Sequence, residues 1–91
     1  MKREIPIEVS RKIHNFAGGM EGSEKIAMIR DHEKAYLEMV DALEAAKIPK
    51  AEKDGIIRNV ENMYPGNYIK QSIEAKSMID TVLTVQANME K

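Results

Sequence analysis

Two histidines are the side chains of this 91-residue chain best suited to chemistry near neutral pH. Imidazole titrates in that range and its pKa shifts with burial, so a histidine can serve as a base, a pH-sensitive group or a ligand contact. At about 100° per residue, His32 falls near the centre of an apolar helix face, between Met28 and Tyr36. Because catalysis needs more than one residue, we favour a neutral His32 packed in a core or subunit contact and hydrogen-bonded to one group.

The other residues that could bind a metal or act as nucleophiles lack the neighbours that such chemistry requires. His14 has no carboxylate or histidine four positions away, so we expect it to lie exposed on the surface. Two histidines without any cysteine argue against a structural zinc site, and there is no pair of Glu-x-x-His motifs for a di-iron site. None of the serines stands in a glycine-rich nucleophile turn. We therefore predict a protein that is not an enzyme and that has no metal or cofactor.

The glycine-rich segment 18–25 could in principle cradle a phosphate at a helix N-terminus. It lacks the Gly-Lys-Ser/Thr ending of a P-loop, and Glu21 and Glu24 would repel an anion, so a flexible interhelical turn is the better interpretation. One alternative remains open, in which a small anionic, nucleotide-like ligand binds in pockets between subunits. Its predicted contacts are Ser23, Lys25, His32 and Tyr36.

A corner before Lys50 resembles the opening of a helix-turn-helix, with Lys53 and Arg58 on the following helix. Glu52 and Asp54 interrupt the basic side, and the whole chain carries a formal charge of -1. A solvated helix surface is therefore the better interpretation, and DNA binding is the weakest of the functions considered.

Composition indicates one soluble domain spanning residues 1–91, of 43% hydrophobic and 32% charged residues. The 14 basic and 15 acidic residues are mixed along the chain, which gives no long-range attraction to nucleic acid or membranes. The chain has no cysteine, no apolar leader and no apolar run near the roughly 18 to 20 residues of a membrane span. These features predict a cytoplasmic protein.

Glycine and proline divide the chain into four predicted helices, two long and two short, giving an all-α fold arranged as a helical hairpin or bundle. The first helix begins near Pro6 and ends at Gly18, although Ile5 to Val9 could instead form a short strand. The others are predicted from an N-cap at Ser23 to about residue 46, from residue 49 or 50 to Tyr64, and from an N-cap at Asn67 to Glu90.

The last predicted helix is apolar on two sides. Ile69, Ile73, Leu83 and Ala87 form one stripe, for which the protomer core is the expected location. The second stripe has the 3, 4, 3, 4 spacing of a coiled-coil seam, so it is predicted to meet a partner. The predicted interface comprises Ala75, Met78, Val82, Val85, Met89, Tyr64 and Tyr68.

The predicted interface has two alternative interpretations. The second stripe could instead be the docking site of the two short helices, whose apolar faces also require burial. Tyr64 and Tyr68 could either mark an interface or lock the helix corner between them. The predicted function is a non-enzymatic helical interaction protein of adaptor, regulator or inhibitor type. It self-associates as a homo-oligomer and binds another protein.

Overall fold

The computed structural model describes residues 4–89, which form four α-helices and no strand. The helices are α1 (Ile7–Phe16), α2 (Gly22–Ala45), α3 (Lys50–Met63) and α4 (Tyr68–Met89). The predicted all-α class, with two long and two short helices, is confirmed. The strand considered between Ile5 and Val9 does not form, because α1 begins at Ile7 directly after Pro6.

The ends of the helices follow the local chemistry of the sequence in most places. Asn67 caps α4 as predicted, since its side-chain oxygen accepts a hydrogen bond from the Lys70 backbone N–H at 3.2 Å. The predicted cap at Ser23 is wrong, because α2 already begins at Gly22 and its N-cap is Glu21, which makes no side-chain capping bond. Gly22 has a φ of 66°, a left-handed conformation that glycine adopts without strain. The predicted end at Glu90 lies outside the described residues.

The two long helices, α2 and α4, run in the same direction. The Tyr36 and Tyr68 rings meet edge to face with their centroids 5.4 Å apart. Further along both helices, the Glu38 carboxylate and the Lys76 ammonium are 3.2 Å apart. An antiparallel arrangement would separate this charged pair by about 15 Å along the axis, which the two side chains cannot span. The helices are also staggered, so α4 continues past the end of α2, in agreement with a molecule 54 Å long.

The shorter helices pack around this pair. Helix α3 returns along α4, where the Gln71 side-chain Nε2 donates a 2.7 Å hydrogen bond to the Tyr64 carbonyl. Helix α1 contacts α2 through the Phe16 and His32 rings, 4.9 Å apart. It also meets the α3–α4 turn at Gly66, where φ is 74° and an added Cβ would contact Phe16 at 3.7 Å. The turn therefore needs glycine for its left-handed conformation, while a Cβ there would make only ordinary van der Waals contact with α1.

The core draws on all four helices and the α2–α3 connection. Its buried apolar members are Ile13, Ala17, Met39, Leu43, Ile48, Ile56, Val60, Tyr68, Ala75 and Ile79. Three polar side chains, His32, Gln71 and Ser72, are buried with them. Among the helices of residues 4–89, none combines the length and apolarity needed to cross a membrane.

Candidate functional site

The inward face of α4 differs from the one that its apolar pattern predicts. Tyr68, Gln71 and Ala75 are buried, whereas Ile73 is 62% exposed and Leu83 is 37% exposed. Ala87 is exposed as well, so the predicted assignment of the Ile69 stripe to the core is wrong at Ile73, Leu83 and Ala87, and only Ile69 is half-buried. The physical reason is the hydrogen bond from Gln71 to the carbonyl at the end of α3. It directs a polar residue inward, and at helical periodicity this turns Ile73 outward.

The predicted interface residues fall into two groups. Tyr68 and Ala75 are buried in the protomer's own core, and Met78 and Val82 pack against that core while half-buried. Val85 and Met89 are 51% and 80% exposed. Of the predicted seam, only these last two side chains lie mainly in solvent.

Tyr64 is half-buried at the corner between α3 and α4. The Lys70 ammonium lies 5.6 Å from the centroid of its ring, within the range of a cation–π contact. The carbonyl of Tyr64 accepts hydrogen bonds from the Asn67 backbone N–H and from Gln71. These contacts fit the interpretation in which the two tyrosines lock the helix corner.

We call residues 80–89 of α4 the α4 tip. Its apolar side chains Leu83, Val85 and Met89 are exposed because α2 ends beside the middle of α4 and leaves the tip without a neighbour on that side. Asp80 is the only charged residue in the whole segment 77–89. The tip is thus an apolar and nearly uncharged helix end, in a chain whose overall content of charged residues is 32%.

A shallow groove of about 290 Å³ lies between α3 and α4, next to the α4 tip. Gly55 and Ile56 line it from α3, and Met78, Thr81 and Val82 line it from α4. A Cβ added at Gly55 would have no atom within 4 Å, so the glycine leaves open space and is not required for packing within the protomer. Helix α3 therefore covers part of the second stripe, as the docking interpretation anticipates, but leaves an open channel beside it.

His32 is 1% exposed, and the Met28 carbonyl lies 2.9 Å from its Nδ1. A carbonyl only accepts hydrogen bonds, so Nδ1 is the donor in this contact. The Nε2 atom of His32 is buried without a hydrogen-bond partner in the described structure. The interpretation of His32 as a packed, hydrogen-bonded core histidine agrees with this environment, and His14 is exposed as expected.

The residues predicted to hold an anionic ligand are not brought together within the protomer. Ser23 is exposed at the start of α2, and Lys25, two residues further along the same helix, is half-buried. Tyr36 lies 13 positions beyond Ser23, or about 20 Å along the helix axis. No single small ligand can contact both ends of this set on one subunit.

A larger cleft, of about 610 Å³, lies where α1 meets the corner between α3 and α4. We call it the corner cleft. Lys12, Asn15 and Phe16 line one wall, Glu61 lines the opposite wall, and the nearly fully buried Tyr68 and Gln71 form its floor. Sequence reasoning missed this site because its walls are about 50 positions apart in the chain. The one sequence feature that points to this cleft is the pair of tyrosines flanking Pro65 and Gly66.

The chemistry of the cleft floor is that of neutral polar groups. Burial, followed by the nearby Glu61 carboxylate and Tyr36, raises the pKa of the Tyr68 phenol to about 12. Burial, followed by Glu61, also raises the pKa of Tyr36. Both phenols are therefore uncharged at physiological pH.

No family model, curated protein or solved structure matches this chain. Within the described residues, no group of three or more histidine, aspartate or glutamate side chains is placed to hold a metal ion. The α4 tip and the corner cleft each offer a surface for binding.

Proposed function

We propose that this protein is a small helical interaction module that self-associates through the α4 tip and acts by binding another protein rather than by catalysis. The observation that supports this proposal is the exposure of Val85 and Met89, at 51% and 80%, on a helix end that the other described residues leave uncovered. Burying such side chains on association is favourable by roughly 25 cal/mol per Å² of apolar surface.

The spacing of the tip favours another helix as its occupant. Met78, Val82, Val85 and Met89 follow intervals of 4, 3 and 4 residues, the repeat with which two helices interlock. The first two of these residues are held against the protomer core, so the seam begins on a rigid support and continues into solvent. A seam supported in this way loses little conformational freedom when a partner helix binds.

The lack of charge favours a second copy of the chain as that helix. In a symmetric dimer each surface meets itself, so like charges would lie opposite one another and repel. Segment 77–89 avoids this repulsion, since Asp80 is its only charged residue. A strongly charged partner, in contrast, would find no complementary charges there.

The groove beside the α4 tip would contribute further buried area to a dimer interface. A stable interface covers about 800 Å² on each partner, which ten residues of one helix face do not provide alone. The groove between Ile56 of α3 and Val82 of α4 is continuous with the tip and about 290 Å³ in volume. We propose that side chains of the partner's tip enter this groove.

The native mass of the protein tests self-association. We expect a concentration-dependent dimer or larger oligomer by light scattering or analytical ultracentrifugation, and a monomer for the double variant Val85→Glu with Met89→Glu. The matched control is Ile73→Glu, which places the same charge at an exposed apolar position of the same helix away from the tip. A monomeric native protein at all concentrations would contradict the proposal, as would an unchanged mass of the double variant.

Binding to another protein is tested separately by affinity capture from lysate with the same three proteins. We expect a partner to be retained by the native protein and by Ile73→Glu, and to be lost from the double variant. Retention of the partner by all three would place the binding surface elsewhere and would refute the role of the tip in it.

A further inference from the structure

The corner cleft has the dimensions of a small-molecule site. Its volume of about 610 Å³ lies within the roughly 300 to 1,000 Å³ typical of ligand pockets. It is built by elements from three parts of the chain: helix α1, the end of α3 and the start of α4. Helix α1 packs against the α3–α4 turn at Gly66, so the cleft is formed by packed elements of the fold and is not a gap between loose segments.

Two residues that line the cleft each carry a buried polar atom with no hydrogen-bond partner among the described residues. These atoms are the Tyr68 hydroxyl and the Gln71 Oε1, on side chains that are each 1% exposed. The orientation of the Gln71 amide is fixed, because its Nε2 donates to a carbonyl that can only accept. Buried polar groups are nearly always paired in folded proteins, so two such groups on residues that line one cleft point to a ligand as their partner.

The two unpaired groups have opposite hydrogen-bonding roles. Oε1 of Gln71 accepts a hydrogen bond, and the Tyr68 hydroxyl, held in its protonated form, donates one. The residues are three positions apart on α4 and therefore lie on one face of the helix. A ligand that satisfies both must present a donor beside an acceptor, as the N–H and C=O of an amide do.

The surrounding residues restrict the charge and shape of that ligand. One cation, Lys12, and one anion, Glu61, line the cleft, so it has no net charge of its own. Glu61 also disfavours an anion near the phenols, whose pKa values its charge already raises. Phe16 lines the wall with 44% of its surface exposed, and its ring offers a face on which a planar group can stack.

We propose that the corner cleft binds a small, uncharged, planar molecule with an amide-type edge, a donor N–H beside an acceptor C=O. The N–H donates to Gln71 Oε1, the C=O accepts from the Tyr68 hydroxyl, and the ring stacks on Phe16. Nucleobases and aromatic carboxamides both carry this edge.

The test uses uracil and benzamide as the two probes, in titrations followed by protein chemical shifts. We expect either probe to shift the resonances of Gln71 and Phe16. A uracil response without a benzamide response assigns a nucleobase-type ligand, and the reverse assigns a carboxamide. Benzoate, which is charged, and toluene, which has no amide edge, are expected to leave these resonances unchanged.

The decisive variant is Tyr68→Phe, which removes only a hydroxyl that has no partner in the described protomer. Because one hydrogen bond to the ligand is lost, we expect probe affinity to fall by about tenfold while the protein stays folded. Tyr36→Phe is the matched control, since Tyr36 does not line the cleft. It should leave affinity unchanged.

Three results would overturn the proposal: no response of the folded native protein to either probe, equal affinity in Tyr68→Phe, or binding of benzoate as tight as that of benzamide. The double variant at the α4 tip separates this inference from the proposed function. Its probe binding should equal that of the native protein even where its self-association is lost.

Discussion

The two halves of α4 show how one helix can serve two different purposes. From Tyr68 to Ile79 the helix has α2 on one side and α3 on the other, and five of its residues are buried. From residue 80 to residue 89, where the described part of the chain ends, the apolar spacing continues but no residue is buried. The difference is not in the residue pattern but in the stagger of α2 and α4. Amphipathic spacing identifies a face, whereas the length and position of neighbouring helices decide where along that face burial ends.

The sharpest test of this comparison places the same charge in each half. Ala75 is 0% exposed, so Ala75→Glu buries an unpaired carboxylate, and we expect it to lower the free energy of unfolding by several kcal/mol. Val85→Glu should change monomer stability by no more than about 0.5 kcal/mol. Urea denaturation followed by circular dichroism measures both. Comparable losses from the two substitutions would show that the tip is packed in solution and would remove the contrast.

The first half of α4 should also be sensitive to alkaline pH. The folded-state pKa of Tyr68 is about 12, above the ordinary value of 10.0, so the folded protein holds this proton more tightly than the unfolded chain. Stability is then fully present below pH 10 and is lost as the pH rises towards 12, by about 1.4 kcal/mol per pH unit. Tyr68→Phe should remove most of this alkaline loss in urea titrations. An unchanged pH profile in the variant would mean that Tyr68 does not control it.

The smallest expected change in stability comes from a substitution in the groove between α3 and α4. Gly55→Ala adds a Cβ that meets no atom within 4 Å, and alanine is favoured over glycine in a helix by about 1 kcal/mol. In the background of Val85→Glu with Met89→Glu, which removes any contribution from association, we expect unfolding stability to rise by up to that amount. In the native background the same methyl group should weaken self-association. A loss of monomer stability would contradict the open groove.

The sequence predicts the fold well where the signal is local. Pro6, Gly18 and Pro65 mark helix ends within a few residues, and Asn67 caps α4 because its side chain reaches a backbone N–H only three residues away. His32 is buried as its position on the apolar face of α2 indicates. Ser23 fails as a cap because α2 already begins at Gly22, one residue earlier. The left-handed conformation of Gly22 is a backbone property that composition alone does not reveal.

Contacts between distant segments account for what the sequence does not predict. The inward face of α4 depends on Gln71 reaching the Tyr64 carbonyl, a contact made by a polar side chain that hydropathy assigns to the surface. The corner cleft depends on Phe16 and Glu61 facing each other, which requires the packing of α1 against a turn about 50 residues away. Periodicity describes single helices, so it cannot indicate either arrangement.

The carbonyl of Tyr64 accepts two hydrogen bonds, and both are formed between residues that are close in the sequence. The Asn67 N–H and the Gln71 amide both bind it, at 3.1 Å and 2.7 Å, and close loops of only three and seven residues. Short loops lose little entropy on closing, so this corner is the tertiary contact we expect to form first during refolding. Helices α1 and α2 would then assemble on a preformed α3–α4 unit, whose amide hydrogens should be the slowest in the molecule to exchange with solvent.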